Sequence, residues 1–348
     1  MYFSFFNKIG CHIKGRTSGF FSDLYAPFAV SSAVSEPRQI LIEEESDIVP
    51  KGGAISSHYS FSDGKLYVAD GRGRWLYLQW EEGDKLFRIR YHSEYDTLKL
   101  SKIFEWGLHQ LASLEGLAFL HGMGFSNGAG AVVCPAWLNT GKTKVLMYLL
   151  SGGSRLVGDD WVVFDSSGRV WAFPKAPLLY IRDLLALPRP FMRCLRPCER
   201  LTVKLKGHGG SLGDRALMVV MRRAFGVHLP IAFPVECLSV VDVQQSIPVK
   251  DVFSLLRFYH KEFIWEKLDP AEFLARTMAT YRYEHGMFLN SSIWEYAWPE
   301  DMRLLKHYER VESILSCLNP RKLSIIKIPQ AADIPTLASY LKERLATL

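Results

Sequence analysis

The chain has 348 residues, 48% of them hydrophobic and 22% charged, with a formal net charge of +6 at pH 7. These proportions belong to a globular protein, and no apolar run reaches the roughly 18 residues needed to cross a bilayer, so a membrane span is not expected. The charge is modest for the length: it suits an anionic ligand or an acidic partner and gives no ground for expecting a nucleic-acid partner.

Residues 1–35 mix aromatic and small residues without a strong period, and Met1–Lys8 is too short and wrongly ordered for a secretory signal. A cytoplasmic protein is therefore expected. From Gln39 the pattern is strand-like: Ile40–Ile42, His58–Phe61, Leu66–Val68, Trp75–Trp80 and Leu86–Tyr91. Ser62-Asp63-Gly64, Asp70-Gly71-Arg72-Gly73 and Glu82-Gly83-Asp84 separate them as turns. This predicts an antiparallel sheet or meander whose aromatics form a core, since aromatic residues favour strands in any case. Residues 1–98 are read as a β-rich region.

From Leu98 the apolar residues Ile103, Trp106, Leu108, Leu111, Leu114, Leu117, Phe119 and Leu120 recur at helical spacing, which predicts a helix ending near His121-Gly122. Trp161–Phe164 and Val170–Phe173 flank Asp165-Ser166-Ser167-Gly168 as a hairpin. Four prolines (Pro174, Pro177, Pro188, Pro190) punctuate a loop-rich stretch reaching Pro197. The basic stretch 191–223, with Arg193, Arg196 and Arg200 at its start, is either a solvated surface or a lid over an anionic substrate. Leu238–Val243 reads as a buried strand. Val249–Phe263, Pro270–His285 and Pro299–Cys317 read as helices, Leu323–Pro329 as a strand and Ile334–Leu348 as a terminal helix. Of the six cysteines only Cys194 and Cys198 are close, and with His208 they do not complete a zinc set.

The chemistry concentrates between His121 and Asp160. The apolar Ala131–Cys134 leads into Ala136-Trp137-Leu138-Asn139-Thr140-Gly141-Lys142-Thr143, then a helical run over Val145–Leu150, then Arg155-Leu156-Val157-Gly158-Asp159-Asp160. The octet is close to the phosphate-loop pattern G-x-x-x-x-G-K-[ST], with Ala136 in place of the first glycine. In such a loop the backbone N–H groups of Asn139, Thr140 and Gly141 and the positive end of the following helix hold a phosphate. Lys142 would reach the outer phosphates and Thr143 would bind Mg²⁺. Asn139 tolerates the left-handed backbone that a glycine would otherwise supply. Asp159 and Asp160 serve one site only if the strand before them ends at Gly158, because adjacent strand residues point to opposite faces. Two surface aspartates in a turn are the alternative, weakened by their position directly after a strand beside the loop, and a helix C-cap is the equal alternative for His121.

The order His121-Gly122, phosphate loop, Arg155-Leu156-Val157-Gly158-Asp159-Asp160 resembles the kinase domain of HPr kinase/phosphorylase, and its last segment also resembles ATP-dependent phosphoenolpyruvate carboxykinase, which shares that nucleotide-binding core. The specific match covers residues 121–160. The resemblance implies an α/β fold with a P-loop core over residues 99–348, carrying extra C-terminal helices, and ATP and Mg²⁺ as cofactors. It implies Asp159 as catalytic base, Asp160 as metal ligand beside Thr143 (the reverse being possible), and His121 as partner of the base or of the metal. Lys175 and Arg182 are weaker candidates for phosphate contact. The expected activity is phosphoryl transfer to a hydroxyl acceptor, a Ser or Thr of a peptide or protein before a small molecule. A nucleotide-binding accessory protein without catalysis is the alternative, and a carboxykinase stands third because such chains are longer.

Overall fold

The computed structural model describes residues 1–33, 35–51, 54–56, 58–81, 85–128, 130–136, 140–185, 187–197, 199–200, 231–286, 298–319 and 322–346. The chain is a mixed α/β protein built on two large sheets.

The first sheet uses β1 (Tyr2–Phe5), β2 (Ile9–Lys14), β3 (Ala29–Val30), β4 (Arg38–Glu45), β5 (Ala54–Ser56), β6 (Tyr59–Ser62), β7 (Lys65–Ala69), β8 (Trp75–Glu81) and β9 (Leu86–His92), in the order β3-β1-β2-β4-β9-β8-β7-β6-β5. The meander expected from the turn signals is present from β5 to β9. β4, however, runs parallel to both β2 and β9, so the sheet as a whole is mixed. The stretch that showed no period in sequence supplies β1, β2, β3 and helix α1 (Ser18–Tyr25). Its aromatics explain the missing period. Phe3, Phe5, Phe6, Phe21, Tyr25 and Phe28 are all buried, so the segment has no polar face to alternate with.

Helix α2 (Thr97–Leu114) starts at Asp96, whose side chain accepts the Lys99 N–H as an N-cap. It ends at Leu114, six residues before the periodicity suggested. Gly116 takes a left-handed φ of 72° that stops the helix. Strand β10 (Leu117–Ser126) follows and is buried along its whole length. A strand covered on both faces shows a continuous apolar run, which periodicity does not separate from a buried helix.

The second sheet contains β10, β11 (Ala131–Pro135), β12 (Arg155–Gly158), β13 (Trp161–Asp165), β14 (Arg169–Trp171), β17 (Ser246–Phe258), β18 (Ile264–Lys267) and β19 (Leu323–Pro329), while β15 (Leu178–Leu179) pairs with β16 (Ile231–Ala232) apart from it. The expected hairpin is β13–β14. β17 replaces the helix expected over Val249–Phe263. Val249 and Val252 enter one core and Phe253 and Leu255 another, which mimics helical spacing. Leu238–Val243 is not a strand. It follows a 3₁₀ turn and meets β12 at the Leu156–Val240 bridge, where Arg155 also donates to the Val240 carbonyl.

β10 and β17 each change neighbours midway. Residues 117–121 of β10 pair with β13 and residues 122–126 with β11, while 124–126 also pair with β12. β17 passes from β14 to β11 and then to β19. Helix α3 (Lys142–Ser151) follows β11, and α4 (Ile181–Leu184) and α5 (Arg189–Met192) are single turns. The remaining helices are α6 (Pro270–Gly286), α7 (Leu304–Leu315) and α8 (Ile334–Ala346), close to the expected positions. α3 packs against α8 in a core of Val145, Leu146, Leu149, Leu337 and Leu341. The larger core runs without a break from Phe5 and Phe87 of the first sheet through Phe104 and Leu108 of α2 to Phe119 and Val163 of the second.

α2 comes close to the first sheet at Gly107, where a Cβ would overlap the Phe87 ring. Gly107→Ala is expected to lower stability by about 1–3 kcal/mol through overpacking, despite the roughly 0.5–1 kcal/mol that alanine gains over glycine inside a helix. Urea unfolding measures this, and a variant as stable as the wild type would contradict that packing.

Candidate active site

The change of partner along β10 builds the site. Gly124 pairs with Gly158 at the end of β12, and His121 pairs with Trp161 at the start of β13. Asp159 and Asp160 fill the turn between. Asp160 takes a left-handed φ of 64°, which aspartate tolerates better than most residues, and its carbonyl accepts the Gly122 N–H at 3.0 Å. Gly158 sits so close to the Trp161 carbonyl that a Cβ would overlap it. The strand does end at Gly158, so the two carboxylates are free of the alternation that a continuing strand would impose.

α3 begins beside this turn. Gly141 caps it with a φ of 90°, and a side chain there would be strained and would meet Ile334 Cδ1 at 2.7 Å. The buried Lys142 ammonium donates to the Ala136 carbonyl at 2.9 Å. The Thr143 hydroxyl donates to both oxygens of Asp159, at 3.1 and 3.0 Å. Thus Thr143 meets the first aspartate of the pair and not the second. Thr140 is half-buried, and Asn139 lies outside the described residues.

A cavity of about 560 Å³ opens in front of these groups, a size suited to a nucleotide or a similar ligand. His121, Gly141, Lys142, Thr143 and Asp160 line it. So do residues that the sequence pattern left unmarked: Lys102 and Glu105 of α2, and Glu284 and His285 of α6. Lys175, only a weaker candidate from sequence, is in the wall as well. The signal for Glu105 is a carboxylate between Phe104 and Trp106, on the side of α2 that also carries Ser101 and His109. Among the described residues, Arg193, Arg196 and Arg200 are not in the wall, and Arg196 pairs with Glu199 at 2.6 Å. No description covers the Arg182 side chain, nor residues 201–230, nor the Cys198 and His208 considered for zinc.

The two aspartates differ in environment. Asp159 is 2% exposed, and burial, then the neighbouring Asp160 charge, pushes its carboxyl up to about 7. The Asp160 side chain is 43% exposed, opening into the cavity it lines. Protein surrounds that cavity, and the resulting desolvation opposes the Asp160 charge, but Lys175, Lys142 and Lys102 outweigh it and hold the carboxyl below its ordinary range. Lys175 is the strongest of these cations. Its ammonium donates to Glu105 Oε1 at 2.8 Å and lies 3.7 Å from Asp160 Oδ2. Burial opposes that charge also, and Glu105 and Asp160 more than reverse it. Lys142 is drawn below its usual value by burial, against the pull of both aspartates.

His121 lies in the middle of β10 and not at a helix end, so it caps no helix. Its Nδ1 is 3.5 Å from Glu284 Oε1, and neither atom makes a hydrogen bond among the described residues. Burial and then Lys142 push the imidazole well down, while burial pushes Glu284 up. At neutral pH His121 is an uncharged imidazole facing a carboxyl with raised proton affinity. Behind it, His109 Nδ1 stands 3.1 Å from His285 Nε2, and His307 bonds Ser113 and Tyr281 at 3.0 and 2.8 Å. Burial is the leading cause that lowers all three of these histidines, which form a neutral polar layer between α2, α6 and α7.

The value of Asp159 lies above its ordinary 3.8, so proton binding favours the folded state. The penalty is absent below about pH 4, grows as pH rises and is complete above about 7. Asp159→Asn removes the charge and keeps an acceptor for Thr143. In metal-free buffer the variant is expected to melt higher than the wild type at pH 8 and together with it at pH 4. Equal midpoints at both pH values would show that Asp159 is not desolvated.

No family model matches this chain, and no curated protein matches it either.

Proposed function

We propose that the chain is an ATP-dependent phosphotransferase of the HPr kinase type, built on the P-loop core that HPr kinase shares with phosphoenolpyruvate carboxykinase. It moves the γ-phosphoryl group of ATP to a hydroxyl, of a peptide or protein Ser or Thr before a small molecule. The observation that carries this reading is the contact of Thr143 with Asp159 at the first turn of α3, beside Lys142 and with Asp160 facing the cavity.

The donor set suits Mg²⁺. A threonine hydroxyl and a carboxylate are hard oxygen ligands, and this ion takes one or two such groups with water and phosphate oxygens completing the octahedron. Among the described residues no group of three or more His, Cys, Asp or Glu is placed to hold an ion, so a denser all-protein cage is not the model for the site. When bound, Mg²⁺ neutralises charge on the outer phosphates. Thr143 and Asp159 are the residues that would hold it, the reverse of the order that the family resemblance suggests, because Asp159 is the aspartate that Thr143 touches. Asp160 is the carboxylate that an acceptor can reach from the cavity.

Asp160 then takes the hydroxyl proton as the acceptor oxygen bonds to the γ-phosphorus and the bond to the β-bridging oxygen breaks, leaving ADP. Lys142 leaves its resting contact with Ala136 to meet the phosphates. His121 and Glu284 form the wall behind Asp160 and help to keep water from it. Leu98, Ile103 and Trp106 of α2 give the cavity an apolar side against which a peptide acceptor can lie. The accessory-protein reading has one observation in its favour: Lys142 is buried and bonded to the protein's own backbone.

Incubation with γ-labelled ATP and a Ser/Thr peptide library, together with calorimetric titration of Mg-ATP, tests the assignment. Binding with transfer supports a kinase, and binding without transfer to any peptide or to water supports the accessory reading. Lys142→Ala is expected to keep the fold, weaken ATP binding and reduce transfer by about 10²–10³-fold, the scale of one lost charge-stabilising donor. Asp160→Asn is expected to reduce transfer by about 10²–10⁴-fold with Mg-ATP affinity retained. Asp159→Asn should instead raise the Mg²⁺ concentration giving half-maximal rate. If Asp160→Asn shifts the Mg²⁺ dependence and Asp159→Asn does not, the two roles are exchanged.

A further inference from the structure

Phosphoryl transfer as described uses Lys142, Thr143, Asp159 and Asp160, and one more buried cation stands in the same cavity. Lys175 is 5% exposed, yet it belongs to the cavity wall. Glu105 holds it from behind at 2.8 Å, and Glu105 also accepts the Tyr25 hydroxyl at 2.7 Å. The backbone next to it is pinned to the N-terminal region, because the Ala176 N–H donates to the Leu24 carbonyl at 2.9 Å.

A full partnership with Glu105 would offset the cost of burying the ammonium. Lys175 is nonetheless shared with Asp160, 3.7 Å away on the cavity side, longer than a normal hydrogen bond. An ammonium carries three donors, so a tightly held lysine with only a long contact toward the cavity retains capacity for an anion there. Asp160 is the group that an acceptor hydroxyl approaches, and the phosphorus under attack lies one bond beyond that hydroxyl. A cation flanking Asp160 therefore flanks the equatorial oxygens of the transferring group, where charge accumulates.

We infer that Lys175, anchored by Glu105 and Tyr25, is a catalytic residue whose ammonium contacts a non-bridging oxygen of the γ-phosphoryl group, so that this site tells ATP from ADP. The inference rests on the nucleotide reading of the cavity. Lys142, at the start of α3, meets both nucleotides, and Lys175 meets only the one with a third phosphate.

The test compares Mg-ATP and Mg-ADP by calorimetry on the full chain. Lys175→Met leaves Glu105 without its buried cation, so a paired variant, Lys175→Met with Glu105→Gln, removes both charges together and preserves an acceptor for Tyr25. Circular dichroism verifies that it folds. In the paired variant the affinity for Mg-ADP is expected to stay at the wild-type value while that for Mg-ATP falls by about 10–100-fold, the loss of one hydrogen bond to a charged group. Acceptor-independent ATP hydrolysis falls with it. An unchanged ATP-to-ADP affinity ratio, or an equal loss for both nucleotides, overturns the role of Lys175 while leaving the nucleotide site standing. A wild-type protein that binds neither nucleotide overturns the nucleotide reading itself, and this inference with it.

Discussion

Strand β10 is buried at every one of its residues, and the other elements are placed by what they do with it. A ten-residue strand with no exposed position must be covered on both faces, and its backbone groups must find partners inside the protein, because they have no access to water. α2, α6 and α7 cover one face and α3 the other. On one edge, the hand-over from β13 to β12 leaves a gap two residues long, filled by the turn of Asp159 and Asp160. The acidic pair is thus a by-product of pairing geometry: two polar residues occupy the place where the ladder is broken. Irregular pairing next to a reactive site is a recurring use of sheet architecture.

Charge is the second constraint. Lys102, Lys142 and Lys175 share one cavity with Glu105, Asp160 and Glu284, and Asp159 accepts a hydrogen bond from Thr143 of its wall. In such a space each ionised group needs a counter-charge, and where none suffices the group gives up its charge instead. Both responses occur. Lys175 and Asp160 keep theirs because each supports the other, with Glu105 behind the lysine. Asp159 shifts toward the neutral form, and His121 is held uncharged. A cavity balanced in this way is ready for a polyanion that brings its own counter-ion, since the incoming charges redistribute partnerships that already exist.

Much of the local structure was legible in the sequence. Gly141-Lys142-Thr143 announced a helix start, Gly158 announced the end of β12, and Asp165–Gly168 announced the hairpin, because each depends on backbone demands that a few residue types satisfy. The failures share one cause. Leu117–Ser126 is buried throughout, and the middle of Ser246–Phe258 sends apolar residues into two different cores, so their apolar residues follow neither period cleanly. The site was half legible for a related reason. His121, Lys142, Thr143 and the aspartates are neighbours through short connections. Glu105 and Glu284 reach the cavity from α2 and α6; Glu105 is marked only by its place between two large apolar residues, and nothing local distinguishes Glu284 from other acidic residues on a helix. Lys175 could be named only as one basic residue among several.

The bond from Tyr25 to Glu105 spans 80 positions, and the one from Lys175 to the same carboxylate spans 70. Both are contacts of long sequence separation, each closing a long loop at an entropic cost. A chain that has folded its second sheet but has not docked α1 would possess the α3 turn and the acidic pair, yet Glu105 would lack one of its two partners. The cavity thereby reports on the state of the whole molecule: its electrostatic balance is complete only when the first thirty residues are home. A single carboxylate joins the N-terminal region to the wall of the site.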